Sequence, residues 1–192
     1  MNLYYSEIFA VVFALLYIFA AAREQVIAWV WAIISSLFWA YASYFIFKLY
    51  IDVGLQFFFI ITSAIGLYYW KFGGDNEQVL PISRMNSKEH AIILSLGIVF
   101  SLLFGYFFAT YSQAASTYAD AFTTIFSILN TYLLVKKRIE NWIYWMVIDA
   151  AMTILFFSRG AYFFSALYLV YVIMSIDGYR RWNAHFKTQL SH

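Results

Sequence analysis

The sequence contains no cysteine, a single proline and few charged residues. The absence of cysteine excludes disulfides, thiolate metal sites and a cysteine nucleophile. Charged residues make up 11% of the 192 residues, against roughly 25% in soluble domains, while 64% are hydrophobic and 23% are aromatic. These proportions exclude a water-soluble globule, and the aromatic content also excludes intrinsic disorder. The composition therefore predicts an integral membrane protein.

The sequence motifs of several enzyme and cofactor classes are also absent. There is no Walker A loop, no dinucleotide-binding glycine fingerprint and no nucleophile elbow. The three histidines form no H-x-x-x-H pair, so a zinc site has no support. The net charge of +2 follows from membrane topology rather than from nucleic-acid binding. We therefore expect no enzyme, no cofactor, no metal centre and no nucleic-acid partner.

Seven apolar runs bounded by charge extend along the chain. Runs of 16 to 22 residues reach roughly 24 to 33 Å as helices, which matches the hydrocarbon thickness of a bilayer. The sequence thus predicts an all-α integral membrane protein with seven transmembrane helices. The predicted spans are Leu3–Ala22, Val26–Phe47, Tyr50–Trp70, Ala91–Tyr111, Tyr118–Val135, Trp142–Phe157 and Ala161–Tyr179.

The basic residues are distributed unequally between the two sides of these spans. Lys48 and Arg159 lie on the side of the N-terminus, and the other ten of the twelve Lys and Arg lie on the opposite side. Long apolar helical runs indicate an inner-type membrane, and by the positive-inside rule this bias places the N-terminus outside and the C-terminus in the cytoplasm.

Two parts of the sequence resemble each other across a polar segment. Four residues recur after a shift of 112, namely Leu55, Ser63, Gly66 and Trp70 as Leu167, Ser175, Gly178 and Trp182. With a shift of 113, Trp29 aligns with Trp142 and Ser36 with Asp149. Four matches in an apolar sequence can also arise by chance. We interpret them as two parallel three-helix repeats joined by one helix, with a solute site at their interface.

This interpretation predicts five parts of the chain. Residues 1–71 form the first repeat, and residues 72–88, which include the only proline, form a cytoplasmic linker. Residues 89–111 form the linking transmembrane helix, 112–182 the second repeat, and 183–192 a cytoplasmic tail.

Asp149 lies near the centre of the sixth predicted span, where an acidic side chain costs about 2.5 to 3.5 kcal/mol. It must therefore face the bundle interior or a wet cavity. Trp142 and Trp145 share its helix face, because the three residues are spaced i, i+3 and i+7. Two indoles and a carboxylate suit a flat cationic solute. The alternative is a structural bond to a neighbouring helix, through Asn130 or a tyrosine hydroxyl.

The other candidates are weaker. Gln56 in the third span can read donors and acceptors of a solute, or equally bond across helices. Thr124 and Asn130 of the fifth span are also candidates, although such groups more often serve helix packing. Ser36 of the second span and Tyr50, which continues its polar line at the start of the third, complete the predicted substrate-binding set.

Several motifs spread over nearly the whole chain belong together. They are Leu49-Tyr50-x-Asp52-x-x-Leu55-Gln56, Asp120-Ala-Phe-Thr-Thr124-x-x-Ser127, Glu140-Asn-Trp142-x-x-Trp145-x-x-x-Asp149 and Gly178-x-x-x-Trp182. With this set the chain resembles the PnuC family of bacterial vitamin transporters, which includes nicotinamide riboside and thiamine carriers. The resemblance implies a three-plus-one-plus-three fold similar to SWEET sugar carriers. It maps substrate contacts to Gln56 and to the face of Trp142, Trp145 and Asp149.

The same resemblance implies a function. It is facilitated diffusion of an unphosphorylated B-vitamin precursor, which a cytoplasmic kinase then traps. Nicotinamide riboside carriers place asparagine where this chain has Asp149, so thiamine is slightly favoured here. The alternatives are nicotinamide riboside as the sole substrate and a substrate-binding subunit of a powered importer. A lipid-modifying membrane enzyme is disfavoured because Asp149 is solitary. Membrane lipid is an expected partner, and homo-oligomerisation is left open.

Overall fold

A computed structural model describes residues 3–48, 50–74, 78–111 and 117–191. Within these ranges the chain forms seven α-helices, a π-helical turn and an isolated parallel bridge between Ser83 and Arg138. The helices are α1 (Leu3–Ala22), α2 (Ala28–Ala42), α3 (Tyr50–Phe72), α4 (Ser87–Tyr111), α5 (Thr117–Val135), α6 (Asn141–Ser158) and α7 (Tyr162–Gln189), and the π-helical turn spans Ser43–Phe47.

Each predicted apolar run is helical, and the differences concern helix ends. The second run divides into α2 and the π-helical turn, and Lys48 closes it in a left-handed conformation with φ of 56°. α4 begins at Ser87, and α7 continues to Gln189, well past the predicted end at Tyr179. In the described ranges, five helical segments are long and apolar enough to cross a membrane: Ala28–Ile46, Asp52–Phe72, Ser87–Tyr111, Asn141–Ser158 and Tyr162–Gln189.

The chain folds into two compact units. The first comprises Met1–Ile82, Val135–Lys137 and Ala184–His192, and the second comprises Ser83–Leu134 and Arg138–Asn183. Helices α1 to α3 therefore belong to the first unit. Helices α4 to α6 and most of α7 belong to the second.

The corner between α1 and α2 is built by backbone hydrogen bonds. Glu24 adopts φ of 57°, and the N–H of Gln25 donates to the carbonyl of Ala20 at 3.0 Å. The N–H of Trp29 then donates to the carbonyl of Val26 at 3.2 Å as α2 begins. A left-handed residue followed by a backward bond is the usual way to satisfy the last carbonyls of a helix.

The corner between α5 and α6 repeats this arrangement. Lys137 adopts φ of 48°, the N–H of Arg138 donates to the carbonyl of Leu133 at 3.0 Å, and the N–H of Trp142 donates to that of Ile139 at 3.2 Å. Every one of these positions is 113 residues after its counterpart in the α1–α2 corner. The two corners therefore use the same bonds at the same register.

A tryptophan pair packs α3 against α2 in the first unit and α7 against α6 in the second. In the first unit, Trp29 meets Trp70 edge to face, with ring centroids 5.3 Å apart at 85°. In the second unit, Trp142 meets Trp182 at 5.4 Å and 86°. All four side chains are almost completely buried.

A glycine beside each pair makes this packing possible. A Cβ on Gly66 would lie 2.5 Å from Trp29 Cε2, and one on Gly178 would lie 2.6 Å from Trp142 Cδ2. Both distances are far below van der Waals contact, so the indoles occupy the space of the missing side chains.

We expect Gly66→Ala and Gly178→Ala each to lower the free energy of unfolding by about 1 to 3 kcal/mol, because a rigid indole must shift. Gly54 is the matched control on α3, since a Cβ there meets nothing within 4 Å. Gly54→Ala should be neutral or stabilising by up to about 1 kcal/mol, as alanine favours the helix. Thermal unfolding in detergent measures all three. Equal stability of the three variants would contradict this packing role.

Candidate functional site

The carboxyl group of Asp149 is a buried polar group of the second unit with one oxygen unsatisfied among the described residues. Asp149 lies in the middle of α6 and is 3% exposed. Its Oδ2 makes no hydrogen bond within the described part of the chain. Ser175 Oγ on α7 is likewise buried without a hydrogen-bond partner in the described ranges. A buried polar atom without a partner costs about 1 to 3 kcal/mol. Binding of a further polar or charged group at Asp149 and Ser175 would therefore remove part of this cost.

The structure does not support the structural partner that the sequence suggested for Asp149. Asn130 is 1% exposed, and its Nδ2 donates 2.9 Å to the backbone carbonyl of Asn141. Its amide group therefore holds the start of α6 to α5. Asn130 Oδ1 accepts no hydrogen bond among the described residues.

The two tryptophans of the Asp149 face have different surroundings. Trp142 is 1% exposed and is enclosed by Trp182 and Gly178. Trp145, one turn later, is only partly buried. Of the two indoles, Trp145 is therefore the more accessible.

The remaining candidates are divided between the units. Thr124 is exposed on α5 of the second unit. In the first unit, Ser36 on α2 and Gln56 on α3 are each 8% exposed. Tyr50 begins α3, and its side chain lies outside the described part of the structure. The structure thus brings Asp149, Trp142 and Trp145 together on α6 and places Gln56 in the other unit.

Gln56 belongs to a hydrogen-bonded group that sequence reasoning did not identify. Gln56 Nε2 donates to Asp52 Oδ1 at 3.4 Å, and Ser43 Oγ donates to Asp52 Oδ2. The spacing of Asp52 and Gln56, four residues apart on one helix, was a signal for the first contact. The second could not be read from sequence because it depends on the π-helical turn that carries Ser43.

The first unit contains a second polar cluster, which the sequence did not indicate. Lys137 is 2% exposed, and its Nζ lies 3.5 Å from Glu24 Oε2 and 4.9 Å from the Trp70 ring centroid. His185 Nδ1 lies 2.7 Å from Glu24 Oε1. Burial lowers the pKa of Lys137 below its usual range, and the charge and hydrogen bond of Glu24 partly oppose that shift. The described residues contain no group of three or more His, Asp and Glu side chains arranged to hold a metal ion.

Comparison with known proteins agrees with this helical architecture. The crystal structure of the vitamin B3 transporter PnuC matches with a TM-score of 0.75 and 21% identity, over 96% of this chain and 83% of that chain. At that identity the match shows the fold alone. The nicotinamide riboside transporters PnuC of Escherichia coli K12 and Shigella flexneri are each 23% identical over 165 residues, which cover 72% of this chain and 69% of the relatives.

The apolar helices and the matched fold define the class of protein as an α-helical membrane protein. The chain belongs to the family described as "Nicotinamide mononucleotide transporter", whose model matches residues 4–184. The PnuC resemblance predicted from the motifs is thereby confirmed.

Proposed function

We propose that this protein imports an unphosphorylated cationic nucleoside of the nicotinamide riboside type by facilitated diffusion. The observation that carries the proposal is the buried carboxyl group of Asp149, whose Oδ2 has no hydrogen-bond partner in the described ranges. A pyridinium ring would supply the missing positive charge. The partly exposed Trp145 beside it would supply a stacking and cation–π surface.

The choice of substrate departs from the preference drawn from the sequence alone. Asp149 led us to favour thiamine slightly, but a buried carboxylate suits either cationic ring. The relatives reported above are named for nicotinamide riboside, and the family description names its mononucleotide. We therefore propose nicotinamide riboside as the principal substrate and retain thiamine as the competitor that an experiment must exclude.

The architecture we propose is seven transmembrane helices in two parallel three-helix repeats joined by α4, similar to SWEET carriers. The matched helix corners and tryptophan pairs support it. In each unit the same backbone bonds and the same edge-to-face geometry occur at positions 112 or 113 residues apart. Chance matches between apolar sequences would not reproduce hydrogen bonds at one register.

We further propose that the protein lies in a bacterial inner membrane with its N-terminus outside. The ten-to-two bias of Lys and Arg supports this orientation. Facilitated diffusion alone equalises concentrations, so net uptake requires removal of the imported solute. A cytoplasmic kinase that phosphorylates the nucleoside would provide this, because the added charge prevents its return.

Titration of the purified chain with vitamins tests the substrate class. The seven tryptophans report on a ligand through their fluorescence. We expect quenching by nicotinamide riboside that saturates in the micromolar range, with weaker quenching by thiamine and none by riboflavin. Tighter binding of thiamine would overturn the proposed substrate. No response to any of the three would overturn the proposed vitamin site.

A further inference from the structure

Ser43, Asp52 and Gln56 of the first unit form a chain of hydrogen bonds between the π-helical turn and α3. We name these three residues the polar triad. Asp52 accepts one bond on each carboxylate oxygen, from Ser43 Oγ and from Gln56 Nε2. Ser43 is 1% exposed and Gln56 is 8% exposed, so two of the three polar side chains are removed from the surface.

The second unit shows that the fold does not need polar side chains at these positions. An offset of 113 residues relates the region of α2 to α6, and an offset of 112 relates α3 to α7. By these offsets the counterparts of Ser43, Asp52 and Gln56 are Phe156, Phe164 and Tyr168. Phe156 contacts both of the other rings, whereas in the polar triad it is Asp52 that contacts both of its partners. The ring of Phe156 lies 5.4 Å from the ring of Phe164 and 5.4 Å from that of Tyr168, nearly parallel to the latter at 12°.

In the second unit, three aromatic side chains thus fill the contact between α6 and α7 that corresponds to the polar triad. Burying polar groups in their place costs desolvation that hydrogen bonds only partly return. A purely structural role therefore does not explain why the first unit carries the polar triad. Recognition of a solute does explain it, because hydrogen-bonding groups discriminate between solutes where aromatic packing cannot.

The geometry fixes the direction of the Gln56 amide. An ionised carboxylate has only acceptor sites, and both side chains that contact Asp52 can donate. Gln56 must therefore turn its NH₂ group toward Asp52. Its carbonyl oxygen, Oε1, then points away from Asp52 and is the atom that can accept a hydrogen bond from another group.

We infer that Asp52 is a positioning residue that orients Gln56 so that Oε1 accepts a hydrogen bond from a hydroxyl or amide N–H of the transported solute. This inference rests on the proposed function and adds a specificity rule to it. The first unit selects solutes that carry a donor. Asp52 itself does not need to touch the solute.

The test is competition against counterflow of labelled nicotinamide riboside in proteoliposomes. The competitors are nicotinamide riboside and analogues that each lack one donor, namely the 2′-, 3′- and 5′-deoxy ribosides and the N,N-dimethyl carboxamide. For the wild type we expect one analogue to compete about tenfold more weakly than the parent, the scale of one hydrogen bond. For Asp52→Leu we expect the parent to weaken to the level of that analogue, while the analogue itself is unchanged.

Two further variants keep the test decisive. Asp120→Leu is the matched control, because Asp120 also lies in a first helical turn but pairs with Arg159, and it should keep the discrimination. Ser43→Ala removes one of the two donors to Asp52. It should partly reduce the discrimination between nicotinamide riboside and the weak analogue. This variant provides the test of the positioning role if Asp52→Leu does not fold.

The outcomes separate this inference from the function beneath it. Equal weakening of the parent and all analogues by Asp52→Leu, or unchanged discrimination in both Asp52→Leu and Ser43→Ala, would overturn the positioning role alone. A wild-type chain without any nicotinamide riboside counterflow would overturn the proposed function and this inference with it.

Discussion

Asp149→Asn is expected to weaken binding and transport of nicotinamide riboside by more than tenfold, roughly the contribution of one charge-assisted contact. The physical reason is that Asp149 is 3% exposed and its Oδ2 has no other partner in the described ranges. Asparagine keeps the size of the side chain but removes the charge that would face the pyridinium ring. The measurement is the concentration dependence of initial uptake into proteoliposomes.

A neutral analogue separates the charge from the shape of the site. Dihydronicotinamide riboside has an uncharged ring, so we expect Asp149→Asn to leave its transport unchanged. Asp177→Asn is the matched control, because that carboxylate is bonded to Arg181 at 2.7 Å on the exposed part of α7. Equal loss for the charged and neutral nucleosides, or none for either, would return Asp149 to a structural role.

Glu24→Gln is expected to lower the free energy of unfolding by about 3 kcal/mol near neutral pH, because it leaves the ammonium group of Lys137 buried without a counter-charge. Lys137 is 2% exposed and lies 3.5 Å from Glu24. The double variant Glu24→Gln with Lys137→Met should recover most of the loss, since it removes both charges. Thermal unfolding in detergent measures the effect.

A matched control is Glu89→Gln. Glu89 pairs with Arg138 at 2.6 Å, but both side chains are about a third exposed. Loss of this pair should cost at most about 1 kcal/mol. If Glu24→Gln were no more costly than Glu89→Gln, the buried pair would have no special role in stability.

The Glu24→Gln effect should also depend on pH. Burial lowers the pKa of Lys137 in the folded protein below its ordinary value of 10.5. At pH values between the lowered pKa of Lys137 in the folded protein and 10.5 in the unfolded chain, the unfolded chain binds more protons than the folded one. The free energy of unfolding therefore rises with pH across that window. Glu24→Gln removes the interactions that raise the pKa of Lys137 and thereby widens the window. We therefore expect the destabilisation by Glu24→Gln to shrink as the pH approaches 10.5.

The sequence predicted the helices well because bilayer thickness dictates their length. The apolar run from Leu3 to Ala22 coincides with α1, and the third run differs from α3 only at its C-terminal end. It could not predict the π-helical turn at Ser43–Phe47. Composition does not encode that change of hydrogen-bond register, and Ser43 there donates to Asp52 nine residues away.

The burial of two candidate residues was predictable because a single helix carries both. The spacing on α6 correctly placed Trp142 and Asp149 together in the interior. It could not show that Trp182 and Gly178 enclose Trp142, because these residues come from α7. The pair of Glu24 and Lys137 was likewise inaccessible, since more than a hundred residues separate the two partners in the chain.

The most direct test of the account is counterflow by the purified chain alone, reconstituted in liposomes without ATP or an ion gradient. The vesicles are loaded with unlabelled nicotinamide riboside, and uptake of the labelled compound is followed, with thiamine-loaded vesicles in parallel. We expect a transient accumulation of label that depends on internal nicotinamide riboside and is lost in Asp149→Asn. Accumulation only when an ATPase partner is supplied, or only with internal thiamine, would contradict it.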